Sequence, residues 1–483
     1  MGPSTTSVTE TLLASPADLF RHHHTSLMHG WIPITVQILA GIALVAAIGW
    51  RDRSWRLVWL PWAALVGVTL AAASYWYITS QGLADDSNPA PHGLWVWIGL
   101  TGVAAGVLIA GWRGAGWRRR SASALALPLC LLCSAVALNL WVGYFPTVQT
   151  AWLQLTAGPL PDQTDPVTVT AMQRQHTIPA KGTVVSVDVP GTASGFKHRG
   201  ELVYLPPAWY ATDPSPPLPT VMMIGGEFNT PADWLRTGNA VKILDDFAAA
   251  HGGNAPVFVF VDAGGAFNND TECVNGPRGN AADHLTKDVV PFMVSHFGVS
   301  SNRTNWGVAG FSMGGTCAVD LTVMHPDIFS AFLDIAGDLA PNSGNKAQTI
   351  ERLFGGNAAA YAAFDPTTVI TRHGRYTGIY GWFDINDAGP RRVDNTLGLG
   401  GRNITGTPND QTAAANSLCA VGSASGIECA VVSQPGRHDW PFASYAFTVA
   451  LPWLASQLGT PGVPMVPLPA PPAAAPIVKT AAK

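Results

Sequence analysis

The stretch from Trp306 to Asp320, WGVAGFSMGGTCAVD, constrains the fold of this chain more than any other. It begins with a short apolar run, turns at the pentapeptide GFSMG, and continues into small residues that suit a helix. Gly310 and Gly314 flank the turn, where a side chain would collide with a neighbouring strand or helix. We therefore predict a buried strand, a sharp turn that presents Ser312, and a helix.

Ser312 has the position of a nucleophile on a strained strand-to-helix turn. The backbone N–H of Met313 would face an oxyanion at the start of the helix, where the helix dipole favours negative charge. A second oxyanion donor is expected from the loop after an earlier apolar strand, where the backbone N–H of Glu227 or Phe228 is the candidate. A serine in an ordinary glycine-rich turn is the alternative interpretation of the same residues.

An acid and a histidine should follow the serine in that order. His438 follows a predicted strand and precedes the last predicted helix, so it is the candidate general base for the serine hydroxyl. The predicted strand Tyr376–Phe383 ends in DIND, and Asp384 and Asp387 therefore compete for the role of the acid. We favour Asp387, because it lies beyond the predicted end of the strand whereas Asp384 lies at its edge. Asp394 is a third candidate.

Four long apolar stretches occupy the first third of the chain, each close to the roughly 20 residues that cross a bilayer. They are Trp31–Trp50, Leu57–Thr79, Leu94–Trp112 and Ala124–Phe145. Charged residues make up only 12% of the chain and the mean hydropathy is +0.19, so part of the chain is expected in lipid. Many of the 18 tryptophans fall near the ends of these stretches, as in an aromatic belt.

The arginines predict the orientation of these spans, because short loops rich in Lys and Arg stay in the cytoplasm. The first and third loops carry several arginines, whereas the second loop, Gln81 to His92, has two aspartates and neither Lys nor Arg. We therefore expect a multi-pass protein of the cell membrane. Both the N-terminus and everything after Phe145, including the catalytic domain, would lie on the extracytoplasmic side.

Strand-like and helix-like segments alternate after the last span, which predicts a mostly parallel sheet with helices on both faces. Functional loops are then expected at the carboxyl ends of the strands. The predicted organisation is an N-terminal polar segment (1–30), a four-helix transmembrane region (31–145), a connector (146–180), an α/β domain (181–459) and a Pro/Ala-rich tail (460–483).

Residues 183–458 resemble the esterase D family of α/β-hydrolases, and within it the mycolyltransferase-type branch found in mycobacterial envelopes. The resemblance is carried by GFSMGG at the turn, HPDIFSAFLDIAGDLAP after its helix, and GRHDWPF around the histidine. It implies an α/β-hydrolase fold, a Ser-acid-His site that works through an acyl-enzyme, and an envelope lipid or ester as substrate. The acid here is Asp where that branch has Glu, so both hydrolysis and acyl transfer are retained as activities.

Four of the six cysteines follow the last span, on a side where disulfides can persist. We expect Cys273 to pair with Cys317 and Cys419 with Cys429; four free thiols are the alternative. No spacing resembles a zinc site and no glycine-rich loop has the lysine of a phosphate cradle, so neither a metal nor a cofactor is expected. The net charge of −4 gives no reason to expect nucleic acid as a partner.

Two classes of function follow from these patterns. The first is a membrane-anchored, envelope-facing serine esterase or acyltransferase that acts on lipid or sugar esters. The second is a membrane-anchored binding or scaffolding module whose hydrolase-like domain turns over little substrate. The presence of Ser312, His438 and an acid in the required order favours the first class. The sequence predicts no particular protein partner.

Overall fold

The computed structural model describes residues 26–28, 30–49, 52–81, 90–113, 115–145, 147–156, 160, 162–387 and 410–469. Its N-terminal part contains four long helices, and all four are long and apolar enough to cross a membrane. Many of their large apolar side chains point outward; Ile109, for example, is 80% exposed. The helices are α1 (Trp31–Ile48), α2 (Leu60–Gln81), which continues a π-helical turn at Trp55–Trp59, α3 (His92–Gly111) and α4 (Trp117–Val142).

Helices α2 and α3 pack at close backbone contact through small residues. A Cβ atom on Gly67 would lie 2.5 Å from the carbonyl oxygen of Gly99, and one on Gly102 would lie 2.7 Å from the Cα of Gly67. Small residues at such positions let helices approach closely, which stabilises helix pairs in lipid through van der Waals contact. Helix α1 packs on α4.

The fourth helix is longer than the apolar stretch that predicted it. It begins at Trp117 rather than Ala124, and so contains Arg118, Arg119 and Arg120. A hydropathy pattern detects only the apolar part of a helix, whereas the helix itself extends through the polar residues that precede this part.

A nine-stranded sheet forms the centre of the remaining described chain. Its strands are β1 (Gln163–Thr164), β2 (Thr183–Val187), β3 (Glu201–Leu205), β4 (Thr220–Ile224), β5 (Val257–Val261), β8 (Trp306–Phe311), β9 (Ala331–Ile335), β10 (Tyr380–Asp387) and β11 (Glu428–Pro435). A separate hairpin consists of β6 (Asn275–Gly276) and β7 (Gly279–Asn280). The order is β1-β2-β3-β5-β4-β8-β9-β10-β11, and the six strands from β5 to β11 in this order are parallel neighbours. Only β3 runs antiparallel to its neighbours.

Helices cover both faces of the sheet and create two apolar cores. Alternate residues of one strand enter different cores: Met222 and Ile224 lie in one, and Val221 and Met223 in the other. The predicted α/β fold with a mostly parallel sheet is therefore confirmed.

The helices after the four long ones are α5 (Val148–Leu155), α6 (Pro166–Arg174), α7 (Pro231–Arg236), α8 (Ala240–Ala250), α9 (Ala281–Asp283), α10 (Val290–Phe297), α11 (Met313–Met324), α12 (Lys346–Phe354), α13 (Ala358–Phe364), α14 (Pro366–His373), α15 (Asp410–Ala424) and α16 (Trp440–Gln457).

The predicted strand Tyr376–Phe383 is displaced along the chain in the structure. Gly378 adopts a φ of +62° just before the strand, so β10 begins only at Tyr380. Pairing with β9 on one side and β11 on the other extends β10 through Asp387. Asp384 is thus an interior residue of the strand and not a residue at its edge.

The connector and the start of the tail contribute to the folded domain. The connector provides α6 and also β1, which pairs in parallel with β2. At the start of the tail, Val463, Val466 and Leu468 pack against one of the two cores. Residues 470–483 lie outside the described part of the chain.

Candidate active site

Ser312 lies at the junction of β8 and α11 in a strained conformation, with φ 60° and ψ −121°. A Cβ atom on Gly310 would overlap the carbonyl of Gly314, and one on Gly314 would overlap the carbonyl oxygen of Ile224. Glycine is therefore required at both positions, as the sequence pattern indicated. The backbone N–H of Ser312 donates to the carbonyl of Ile335 at 2.9 Å, which ties the turn to β9.

The structure brings His438 to Ser312 across 126 positions of sequence. The Nε2 atom of His438 lies 2.8 Å from the Oγ atom of Ser312, which is hydrogen-bond distance. His438 lies in the loop between β11 and α16, and its ring packs on Phe311 with ring centroids 4.8 Å apart. A base at this distance can take the proton of the hydroxyl as the oxygen attacks a carbonyl carbon.

Gln411 contacts Nδ1, the other ring nitrogen of His438. The sequence did not indicate this contact. The Nε2 atom of Gln411 lies 3.3 Å from Nδ1 of His438, and it also donates to the carbonyl of Ala336 at 2.8 Å. The side chain is buried near the start of α15. A side chain beside Nδ1 restrains the orientation of the imidazole ring. A lone glutamine in a helix has no sequence signal for such a role.

Asp384 directs its carboxylate to groups other than the imidazole. Its Oδ2 atom accepts hydrogen bonds from Nε2 of Gln434 at 2.6 Å and from Nε1 of Trp382 at 3.2 Å, while Oδ1 is buried without a partner. Burial raises the pKa of Asp384 to about 7, although both hydrogen bonds act in the opposite direction. This residue is therefore part of the polar interior between β10 and β11.

Asp387 is the last residue of β10 and pairs in register with Pro435 of β11. Its backbone therefore lies at the carboxyl edge of the sheet, on the strand next to the one that leads into His438. The sequence-based preference for Asp387 as the acid stays a prediction. Asp394 lies outside the described residues.

The loop after β4 passes beside the serine. A Cβ atom on Gly226 would lie 3.2 Å from the Cβ of Ser312, and the N–H of Gly226 donates to Oδ1 of Asn229 at 2.8 Å. Within the described chain, the N–H groups of Glu227 and Phe228 have no hydrogen-bond partner, and neither has that of Met313 at the start of α11. The three candidate oxyanion donors therefore lie on the two segments that border Ser312.

An ion pair that the sequence analysis did not identify supports this loop. The guanidinium of Arg199 donates two hydrogen bonds to Asp262, at 2.6 and 2.9 Å, and the backbone N–H of Arg199 donates a third at 2.7 Å. The same guanidinium donates to the carbonyl of Asn229 at 2.7 Å. Asp262 directly follows β5, so its position at the carboxyl end of a buried strand was the available sequence signal. The pair connects the end of β5 to the loop that carries Glu227 and Phe228.

A cleft beside Ser312 is lined by the loop after β4, the loop after β5 and Met313. Desolvation raises the pKa of Glu227 well above its usual range, with a further contribution from the nearby charge of Asp270 and an opposing one from Arg278. Burial also raises the pKa of Asp270 to about 6. Both carboxyl groups hold their protons more tightly than surface acids, which reduces the negative charge of the cleft.

Two disulfides brace the elements around the site. Cys273 is bonded to Cys317, which joins the loop after β5 to α11, and Cys419 is bonded to Cys429, which joins α15 to β11. These are the two pairs expected from the sequence. The first bond lies behind the turn that presents Ser312, and the second holds together the elements that carry Gln411 and lead into His438.

One group of side chains in the described chain has the composition of a metal site, formed by His198, Glu201 and His284. Both imidazoles bond to Oε1 of Glu201, at 2.9 Å from Nδ1 of His198 and 3.1 Å from Nε2 of His284. The two rings are stacked, 4.3 Å apart and inclined by 22°. Nδ1 of His284 also lies 3.4 Å from Oδ2 of Asp288, so both nitrogens of this ring face carboxylate oxygens. We therefore interpret the group as a buried hydrogen-bond network around Glu201.

Comparisons with known proteins find several similar chains. An uncharacterized protein of Corynebacterium glutamicum is 26% identical over 431 residues, which cover 87% of this chain and 93% of that protein. Among solved structures, an S-formylglutathione hydrolase from Agrobacterium tumefaciens is 19% identical, with 58% of this chain and 97% of that chain covered and a TM-score of 0.44. The fluorophosphonate-binding serine hydrolase F of Staphylococcus aureus is 15% identical, with 57% and 99% of the two chains covered and a TM-score of 0.44. MPT51 of Mycobacterium tuberculosis is 16% identical, with 56% and 99% of the two chains covered and a TM-score of 0.37. The family model described as putative esterase matches residues 197–441, a range that contains both Ser312 and His438.

Proposed function

The chain belongs to the putative esterase family, and we propose that it cleaves carboxylic esters with Ser312 as nucleophile, His438 as general base and Asp387 as the acid that orients the histidine. The observation that carries this assignment is the 2.8 Å separation between Nε2 of His438 and Oγ of Ser312. The strained conformation of Ser312 supports it further, because strain of this kind persists where the surrounding structure holds a functional group in place.

The reaction follows from the chemistry of these groups. Oγ of Ser312 attacks the ester carbonyl carbon while Nε2 of His438 takes its proton, and the carbonyl oxygen becomes an oxyanion. The N–H of Met313 and that of Glu227 or Phe228 stabilise this oxyanion. The tetrahedral intermediate collapses, the leaving alkoxide receives the proton from His438, and an acyl-enzyme remains. Water then releases the acid, or a second alcohol takes the acyl group, so lipid or sugar esters undergo hydrolysis or transfer.

A fluorophosphonate probe tests this assignment, because its reaction requires an activated serine. We expect the full chain to be labelled and peptide mapping to locate the label on Ser312. Ser312→Ala should not be labelled, and His438→Gln should be labelled far more slowly. A matched control is Ser295→Ala, which removes an exposed hydroxyl on α10 and should leave labelling unchanged. Labelling of another residue in wild type would contradict the proposal.

The four apolar helices would anchor the esterase domain to a membrane, with the domain on the extracytoplasmic side. This orientation is supported by the arginines of the first and third loops. It also agrees with the two disulfides, because such bonds persist in oxidising compartments.

Cysteine labelling in intact cells checks the orientation. Gly116 precedes α4, and a Cβ atom there meets nothing within 4 Å, so Gly116→Cys is tolerated sterically. We expect a membrane-impermeant maleimide to leave Gly116→Cys unlabelled until the cells are opened. Thr156→Cys, at an exposed position after α5, should be labelled in intact cells. The wild type, whose free cysteines Cys130 and Cys133 are buried in α4, provides the background. The reverse pattern would refute the orientation.

A further inference from the structure

The ends of two spanning helices contact loops of the esterase domain. Near the end of α2, the Tyr77 hydroxyl accepts a hydrogen bond from Nδ2 of Asn268 at 3.2 Å. In the same turn, the carbonyl of Thr79 accepts one from Nη2 of Arg352 at 3.2 Å. Asn268 belongs to the loop after β5, which borders the cleft beside Ser312.

The end of α4 meets the loop that carries the histidine. Gly143 follows α4, and a Cβ atom there would lie 3.3 Å from the carbonyl oxygen of His438 and 3.2 Å from the Cβ of Asp439. The next residue, Tyr144, forms a side-chain hydrogen bond with Asp233.

Helices α2 and α3 run antiparallel, because Gly67 contacts Gly99 while Ala63 contacts Gly106. The start of α4 lies at the end of α3, where Arg120 donates to the carbonyl of Trp112, so the ends of α2 and α4 lie at the same side of the helix group. The carboxyl edge of the sheet, where Ser312 lies, therefore faces that side.

Aromatic side chains connect the end of α2 to the cleft. Phe267, beside Asn268, is 64% exposed, and its ring lies 5.3 Å from the ring of Phe228. Phe228 and Met313 both line the cleft next to the serine. An exposed phenylalanine at this point extends an apolar surface from the helix end into the site. Apolar groups at a membrane interface are stabilised by lipid contact, whereas in water they carry a free-energy cost.

From this arrangement we propose that the substrate is an ester whose acyl chain lies in the bilayer leaflet at this end of the helices. The ester group of this substrate reaches Ser312 along Phe267 and Phe228 without leaving the membrane surface. The proposal rests on the proposed function, since it specifies the substrate class and the entry route of that same site. A fully water-soluble ester would use neither the apolar surface nor the contact between the cleft and the helix ends.

The test uses the full chain reconstituted in phosphatidylcholine vesicles and two esters of one fluorophore. Umbelliferyl palmitate is placed either in the same vesicles as the protein or in separate protein-free vesicles, and umbelliferyl acetate is supplied in solution. We expect the palmitate ester in the same bilayer to be cleaved at least about tenfold faster than the ester in separate vesicles. Equal rates from the two placements would overturn the proposal.

Substitution of Phe267 tests the route. Phe267→Ser should lower the ratio of palmitate to acetate turnover about tenfold, the factor that corresponds to loss of contact with one apolar side chain. Phe267→Leu should restore most of the ratio. Val167→Ser is a matched control, because Val167 is also an exposed apolar residue, with 78% of its side chain exposed. It lies on α6, which follows β1 at the edge of the sheet opposite β11. Turnover of both the palmitate and the acetate ester should remain unchanged.

The outcomes separate the two proposals. Acetate turnover that depends on Ser312, together with a palmitate-to-acetate ratio that Phe267→Ser does not change, would overturn the membrane route and leave the proposed function intact. Absence of turnover of both esters by the wild-type protein would refute the proposed function, and the inference with it.

Discussion

Ser312→Ala should abolish hydrolysis of a short p-nitrophenyl ester while the domain remains folded. Without the hydroxyl no acyl-enzyme forms, and loss of the nucleophile in a serine protease costs on the order of 10⁶ in kcat. Alanine keeps the Cβ atom of serine, so the strained turn at φ 60° is retained. We therefore expect a thermal unfolding midpoint close to that of wild type, measured by circular dichroism alongside the ester assay.

A specific control strengthens this comparison. Ser295→Ala removes an exposed serine hydroxyl on α10 and should leave kcat unchanged. If Ser312→Ala retained activity within a few-fold of wild type, the turn would be a structural feature and the nucleophile would have to be sought elsewhere.

Asp387→Asn should reduce kcat by about 10⁴, the loss that follows when the orienting acid of such a triad becomes an amide. In the proposed triad, the acid would hold the imidazole in the tautomer that accepts the serine proton and would stabilise the imidazolium that forms. The prediction rests on the backbone position of Asp387, at the end of β10 opposite Pro435 of the strand that leads to His438. The measurement is kcat for a short p-nitrophenyl ester, with circular dichroism to verify folding.

Asp384→Asn is the matched control for this prediction. An amide oxygen can still accept from Gln434 and Trp382, so we expect only a small change in kcat. The new amide N–H₂ would have to occupy the position of the buried, unpartnered Oδ1, at a cost of roughly 1–3 kcal/mol in the free energy of unfolding. If Asp384→Asn alone removed activity in a folded protein, the assignment of Asp387 would be wrong. If neither variant lost activity, Asp394 would become the next candidate.

The sequence by itself determined those features whose information is local in the chain. The turn at Ser312 was predictable because its two glycines and its flanking strand and helix lie within about fifteen residues. The four long apolar helices were predictable for a similar reason, since each appears in the sequence as about 20 consecutive apolar residues. Alternating apolar strands and helices likewise indicated the parallel sheet, and the structure confirms this class of fold. His438 was a candidate because the strand before it and the helix after it were both visible.

Only the tertiary structure decided features that depend on which distant segments become neighbours. Pairing with β9 and β11 determines where β10 begins and ends, and it places Asp384 inside the strand. There, Gln434 and Trp382 donate hydrogen bonds to its carboxylate. The contact of Gln411 with His438 and that of Arg199 with Asn229 arise in the same way. A glutamine or an arginine has the same local pattern whether it lies at a surface or beside a catalytic group.

The contacts between the four apolar helices and the site depend entirely on the tertiary structure. Hydropathy predicted the spans and the serine motif predicted the site, but nothing local related the two. Tyr77 contacts Asn268 across 191 positions of sequence, and Gly143 lies against the loop of His438. Such contacts form because the sheet presents its carboxyl edge to the helix ends, and the order of strands that produces this edge is a property of the whole fold.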